Sequence, residues 1–251
     1  MTPHLYIITG ASRGMGLAMA QQLLSAEHFV LCMSRHTNTA LTQQAALQSS
    51  PLVQLPFDLE QSVDAADLLS QWLEGHAGAP FSSATLVNNA GVMPRIAPVS
   101  ASDPTDLARA MRVGLEAPVL LTSAFLGATE AWNIPRKVLN ISSGLGRRAM
   151  ASQAGYCAAK AGLDHFTRCL ALEEALKSQG AKVCSLAPGV IDTEMQDQLR
   201  GAVPADFPDQ QGFIDLKEKG QLASPAVAAS RVLAYLARPD FGSNPVGDVR
   251  D

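Results

Sequence analysis

Three side chains in this sequence have the types and spacing for moving a proton onto or off an oxygen. Of the tyrosines Tyr6, Tyr156 and Tyr235, only Tyr156 has a lysine four residues on, at Lys160. On a helix, positions i and i+4 share a face, so phenol and ammonium lie close together. A free phenol titrates near ~10. A neighbouring ammonium favours the phenolate, so the spacing predicts a lowered Tyr156 pKa and a phenol useful as a general acid or base. Ser143 lies upstream in Ile141-Ser142-Ser143-Gly144, at the end of an expected strand. A hydroxyl there can donate to a carbonyl oxygen as negative charge develops on it. Alone, Tyr-x-x-x-Lys is a surface pair on many helices, and Ser-Ser-Gly is a loop. The order in which these pieces occur along the chain makes them specific.

The first apolar run ends in Thr9-Gly10-Ala11-Ser12-Arg13-Gly14-Met15-Gly16. Glycines at 10, 14 and 16, directly before a helical pattern, suit a sharp turn whose backbone approaches a phosphate, with a helix N-terminus offering free N–H groups to the anion. The spacing is not the common G-x-G-x-x-G, and a glycine-rich turn without a ligand has the same composition. The second apolar run ends in Cys32-Met33-Ser34-Arg35-His36, with no carboxylate to grip ribose hydroxyls. Arg35 is a cation where a 2′-phosphate would sit, and Arg13 could reach the same group. An arginine fork suits phosphate, so these residues favour NADP(H) over NAD(H).

The elements that would position these groups follow from hydrophobic periodicity. Strands are expected at Leu5–Thr9, Phe29–Met33, Leu52–Phe57, Ala84–Val87, Lys137–Ile141, Lys182–Leu186 and Gly247–Val249. Helices are expected at Met15–Ala26, Ala40–Gln48, Val63–Leu73, Pro104–Ala131, Gln153–Ser178 (closed by Gly180) and Pro225–Ala237. The strands are nearly continuous apolar runs. Such strands are buried on both faces, which predicts an α/β fold: a doubly wound, Rossmann-type parallel sheet with helices on both sides. There is no linker-like tract or internal repeat, so residues 1–251 are read as one domain. The polar stretch 192–220, with Pro204 and Pro208, is expected to lie as a lid over the ligand crevice.

Composition narrows the function classes. The 251 residues carry 19 Lys and Arg against 23 Asp and Glu, a net charge of −4, with 47% hydrophobic and 17% charged residues. That is a globular composition, without the basic excess a nucleic-acid partner requires. No uncharged apolar run reaches the roughly 18 residues of a membrane span, and the N-terminus lacks a signal-peptide pattern. Cys32, Cys157, Cys169 and Cys184 form no CxxC pair and no metal-ligand spacing with histidine, so no metal site is expected. They read as reduced thiols, mostly core-packing, in a cytoplasmic protein.

Taken together, TGASRGMG at 9–16, Asp58 after the third strand, NNAG at 88–91, Ser143, Tyr156-x-x-x-Lys160, and Pro188-Gly189 followed by Thr193 resemble the short-chain dehydrogenase/reductase family over nearly the whole chain. The resemblance implies hydride transfer between a nicotinamide and a carbonyl or alcohol carbon. Tyr156 would be the proton donor, Lys160 would lower its pKa and hold the nicotinamide ribose, and Ser143 would polarise the carbonyl. Cofactor contacts would come from Gly10, Ser12, Arg13, Gly14, Met15 and Gly16, from Ser34 and Arg35, and from Asp58 and Leu59 near the adenine. Asn89, Ala90 and Gly91 would lie beside the adenosine ribose, and Pro188, Gly189, Val190 and Thr193 would hold the nicotinamide end.

Within that family, the region APGVIDTEMQDQLR and FIDLKEKGQLASP is similar to benzil reductases that form (S)-benzoin and, more loosely, to sepiapterin reductases. This implies NADPH-dependent reduction of one carbonyl of a vicinal diketone. Gly144, Met150 and Met195 are expected to border the substrate, with soft methionines suiting a bulky apolar molecule. The family's long central helix often meets a partner subunit, so a homodimer or homotetramer is expected. One departure stands out. In Val113-Gly114-Leu115-Glu116-Ala117-Pro118, glycine occupies the place of the family's asparagine, which helps hold a water linked to the lysine. Either another water fills the space or turnover is impaired. The latter leaves open a weakly catalytic NADP(H)-binding sensor. A secondary-alcohol dehydrogenase working oxidatively is a third reading.

Overall fold

The computed structural model describes residues 2–78 and 81–251. Seven parallel strands form one sheet: β1 (His4–Thr9), β2 (His28–Ser34), β3 (Leu52–Pro56), β4 (Ser83–Asn88), β5 (Arg136–Ile141), β6 (Lys182–Ala187) and β7 (Val246–Asp248). Their spatial order is β3-β2-β1-β4-β5-β6-β7. The first flank grows outward from β1 to β3 and the second from β4 to β7. The reversal therefore lies between β1 and β4, and the crevice expected at such a switch point opens at their carboxyl ends.

The apolar strands are explained by two cores, one on each face. Along β1, Ile8 packs into the core of one face, with Met19, Val30 and Val232, while Leu5 and Ile7 pack into the other, with Leu69, Leu121 and Phe125. β2 alternates the same way, with Val30 and Cys32 on one side and Leu31 and Met33 on the other. A strand that must fill two cores can spare few polar positions, and each apolar side chain there contributes roughly 1.5–3 kcal/mol by leaving water. The first core is covered by α1 (Gly14–Leu23) and α9 (Pro225–Ala237), and the second by α3 (Ser62–Glu74) and α5 (Ala117–Thr129). The remaining helices are α2 (Thr39–Leu47), α4 (Pro104–Met111), α6 (Ala154–Ala175), α7 (Glu194–Arg200) and α8 (Gln210–Glu218).

Three expectations need correction. The central helix is not uniform: a π-helical turn at Arg112–Glu116 separates α4 from α5, and a 3₁₀ turn, Glu130–Trp132, closes it. This run is long and apolar enough to cross a membrane, but half of its most apolar part is buried in the fold, as in a core helix. α6 stops at Ala175, so Gly180 does not cap it; Gly180 instead abuts the Glu174 carbonyl, where no side chain fits. Finally, the polar stretch 192–220, where the periodicity predicted no helix, carries α7 and α8. Of the cysteines, Cys32 and Cys184 are buried, Cys157 is half-buried and Cys169 is exposed, so the core reading holds for two of them.

Candidate active site

At the switch point the β1–α1 turn is held from the side by β4. The Asn89 amide donates to the Thr9 and Gly10 carbonyls at 2.9 and 3.3 Å, and the Thr9 hydroxyl accepts from the Asn89 and Ala90 N–H groups at 2.9 and 3.0 Å. Two glycines are required by this closeness. Gly10 has φ +67°, and a Cβ there would lie 2.9 Å from the Ala90 Cα. A Cβ on Gly16 would lie 2.3 Å from the Gly10 carbonyl oxygen. The Asn89 amide nitrogen is therefore committed to holding the turn.

The turn ends in an uncapped helix. Arg13 occupies the N-cap of α1 without a side-chain cap, and the first turn holds no acid. α3, α6, α7 and α8 also start without a side-chain cap, while α2, α4 and α9 are capped by Asn38, Asp103 and Ser224. Free N–H groups and a partial positive end thus face the crevice, the arrangement that binds a pyrophosphate. The donor set fits a dinucleotide along the whole cleft, which has a volume of about 780 Å³. Gly10, Ser12, Arg13, Gly14, Met15 and Gly16 line it, as do Ser34, Arg35, Asp58, Leu59, Asn89, Ala90 and Gly91. Pro188, Gly189, Val190 and Thr193 continue the wall after β6. Arg35 is exposed at the end of β2 and pairs with no carboxylate among the described residues, whereas Arg13 pairs with Glu194 at the head of α7.

Ser143, Gly144, Tyr156 and Lys160 line the same cleft. Ser143 follows β5, and its hydroxyl accepts from the Leu145 N–H at 3.2 Å. Tyr156 and Lys160 sit on the first turns of α6, with Nζ 5.7 Å from the phenol ring centroid. Both are buried, and Lys160 donates to the Ile141 carbonyl at 2.7 Å. Burial pushes the phenol up to about 12, with the facing Ser143 hydroxyl acting in the opposite direction. Burial brings Lys160 down to about 8, against the pull of Asp164. The spacing argument anticipated a lowered phenol. Burial decides the direction instead, with the Ser143 hydrogen bond as the one opposing effect. α6 is braced from below by a buried chain in which Asn88 donates to Asn140, Asn140 to Thr167 and Thr167 to the Leu163 carbonyl, each at 2.8 Å.

Gly114 lies buried in the π-helical turn, and a Cβ on it would stand 3.1 Å from the Cβ of Ala159, the residue before Lys160. Glycine there lets the widened turn press directly onto α6, and Val113 beside it lines the cleft. Of the two methionines expected at the substrate, Met195 lines the cleft but Met150 does not. Met150 packs instead against the small cluster of Ile96, Leu199 and Phe207 beneath the α7–α8 cover. Sequence reasoning missed Gln196 and Phe213 in that cover. It also missed Asp248 and Arg250, which reach the cleft because β7 pairs alongside β6. No cluster of metal-ligating side chains occurs among the described residues.

The family model for short chain dehydrogenases matches residues 4–203. A benzil reductase ((S)-benzoin forming) of Bacillus cereus is 35% identical over 243 residues, covering 97% of this chain and 96% of its own. Sepiapterin reductase of Bos taurus is 30% identical, covering 98% of this chain and 94% of its own. Among solved structures, a metagenomic short-chain oxidoreductase in complex with NADP superposes with a TM-score of 0.72 at 25% identity, covering 98% and 95% of the two chains. Fold, cleft and relatives agree: the chain belongs to the short-chain dehydrogenase/reductase family of oxidoreductases.

Proposed function

We propose that the protein is an NADPH-dependent ketone reductase acting on one carbonyl of a vicinal diketone such as benzil. The observation that carries this reading is the meeting of Ser143, Tyr156 and Lys160 in one cleft with an uncapped, glycine-lined helix N-terminus. The α1 N-terminus would hold the pyrophosphate, Arg35 and Ser34 the 2′-phosphate, and Asp58 and Leu59 the adenine. The wall from Pro188 to Val190 and Thr193 would hold the nicotinamide end, with Lys160 on its ribose. When bound, the reduced nicotinamide supplies the hydride.

Ser143 then donates a hydrogen bond to the carbonyl oxygen and stabilises the charge that develops there. Tyr156 gives that oxygen its proton. Burial, which pushes its pKa up to about 12, keeps the phenol protonated through the neutral range, so it enters the step with a proton to give. Lys160 beside it restores the proton. The benzil and sepiapterin reductases among the relatives support the substrate class. Tyr156→Phe tests the proton role. Turnover should fall by about 10²–10⁴-fold, while NADPH affinity, read by cofactor fluorescence, should change less than about twofold. Retained turnover would remove Tyr156 as the acid.

A further inference from the structure

Asp164, on α6, is a carboxylate almost wholly out of water, 1% exposed, and the mechanism above does not use it. Burying such a charge is costly, and a buried ion pair is weak evidence for stability. The helix has other anchors, since the Asn88–Asn140–Thr167 chain already braces it. What distinguishes Asp164 is its place. It stands four residues after Lys160, one turn on along the same face, and helical side chains lean toward the N-terminus, here back toward the lysine. Its Oδ1 accepts from the Ser185 hydroxyl on β6 at 2.6 Å, and its Oδ2 accepts from the Arg147 Nε at 3.2 Å. Arg147 directly follows the 3₁₀ turn Gly144–Gly146 that Ser143 opens, and its Nη2 donates to the Gly247 carbonyl on β7 at 2.8 Å. The turn sits tightly on the helix: a Cβ on Gly146 would lie 3.0 Å from Asp164 Oδ2 and 3.0 Å from the Lys160 carbonyl oxygen.

We propose that Asp164 is a positioning residue: its carboxylate ties the turn that carries Ser143 to the helix that carries Tyr156 and Lys160, and its negative charge stands behind the Lys160 ammonium. Arg147, its partner, acts on the same ammonium with the opposite sign. Few other charged or titratable groups face this pair. Tyr156 shares the helix, Cys184 lies on β6, and Asp248 on β7 is near enough to feel Arg147. On the elements packed across α6, Arg109 is taken up by Glu60 and Glu116 by Ser62, while Arg112 is exposed. His165 and Arg168 of α6 itself are exposed as well. The opposition of Asp164 to the burial that lowers Lys160 agrees with this placement. The role in turnover rests on the reductase reading above.

Two neutral replacements separate charge from bracing. Asp164→Asn and Arg147→Met both loosen the tie, so a pair that only braces the fold would respond alike to either. Through charge they act in opposite directions. Without the carboxylate, Lys160 gives up its proton more easily; without the guanidinium, it holds the proton more firmly. The Lys160 titration is followed in the cofactor-free protein by carbon-13 NMR of labelled lysine, its signal assigned by its absence from Lys160→Arg. The pH profile of benzil reduction with NADPH is measured alongside. Both midpoints should move down by about one pH unit in Asp164→Asn and up by about half a unit in Arg147→Met. At low pH, kcat should fall about tenfold in each variant as Ser143 loses its alignment. Melting temperature and NADPH affinity report on folding. Midpoints that stay in place or move together overturn the charge assignment, and an unchanged kcat in both variants overturns the tie. Opposite NMR shifts in a protein that reduces no ketone support the charge assignment and overturn the reductase reading instead.

Discussion

The two ends of the cleft are built differently. The cofactor end hangs on strand termini and on backbone hydrogen bonds between Asn89 and the β1–α1 turn, with the buried Asn88–Asn140–Thr167 chain bracing α6 behind it. The substrate end is roofed by α7 and α8. These are tied down by partly exposed ion pairs such as Asp192–Lys217 at 2.5 Å and by a cluster with only three fully buried residues, Ile96, Leu199 and Phe207. Regions with few buried contacts open at low free energy. On the function proposed above, the chemistry is mounted on the more tightly bonded part, and substrate choice is left to the part that can yield. Changes at the first end should act on every substrate alike, and changes at the second should discriminate between substrates.

The sharpest way to break this comparison is at the 2′-phosphate. Arg35→Asp replaces a free guanidinium with a like charge, and the ratio of kcat/KM for NADPH over NADH should fall by about 10–100-fold with any ketone. Equal weakening of both cofactors would refute the assignment.

Next in size is pH. Lys160, brought down to about 8, carries its proton below that value and loses it above. Reduction takes up a proton, so its rate should decline as pH rises through about 8, by up to tenfold per unit, while alcohol oxidation rises. Rate profiles in both directions check this, and parallel profiles would contradict it.

Gly114→Asn is expected to act on the rigid end by crowding. A Cβ 3.1 Å from Ala159 costs more in overpacking than the roughly 1 kcal/mol regained by removing a helical glycine. Melting should drop by about 2–4 °C. Higher melting with faster turnover would mean that the protein lacks an asparagine rather than needs a glycine.

The smallest effect belongs to the cover. Lys217→Ala removes a largely exposed pair worth at most about 1 kcal/mol. It should shift the KM for the ketone by about fivefold or less and leave NADPH affinity in place. A larger effect on the cofactor than on the ketone would erase the distinction between the two ends.

The rigid end was largely legible in the sequence, because its constraints are local. Gly10 and Gly16 are demanded by close backbone, Arg35 by the missing acid, and Tyr156 and Lys160 by helical spacing. The continuous apolar strands announced a sheet covered on both faces. The cover was not legible. Glu194–Arg200 and Gln210–Glu218 are short, polar helices held by ion pairs and one small apolar cluster, so periodicity had little to register. Met150 was placed at the substrate because of its type, yet the cover takes it up as packing. Gln196 carries no motif, and only the folded cover brings it to the cleft wall. The Tyr156 pKa shows the same limit: spacing gives proximity, but the burial that decides the sign belongs to the assembled fold.

The most direct test of the account is NADPH consumption by the purified wild-type protein, followed by near-ultraviolet absorbance with benzil, a phenyl-substituted diketone, diacetyl, sepiapterin and simple monoketones, with NADH in parallel. The account predicts rapid loss of NADPH with the aromatic diketones, much slower loss with the monoketones, and little reaction with NADH. Tight NADPH binding without turnover of any of these carbonyl compounds, or equal use of NADH, would contradict it.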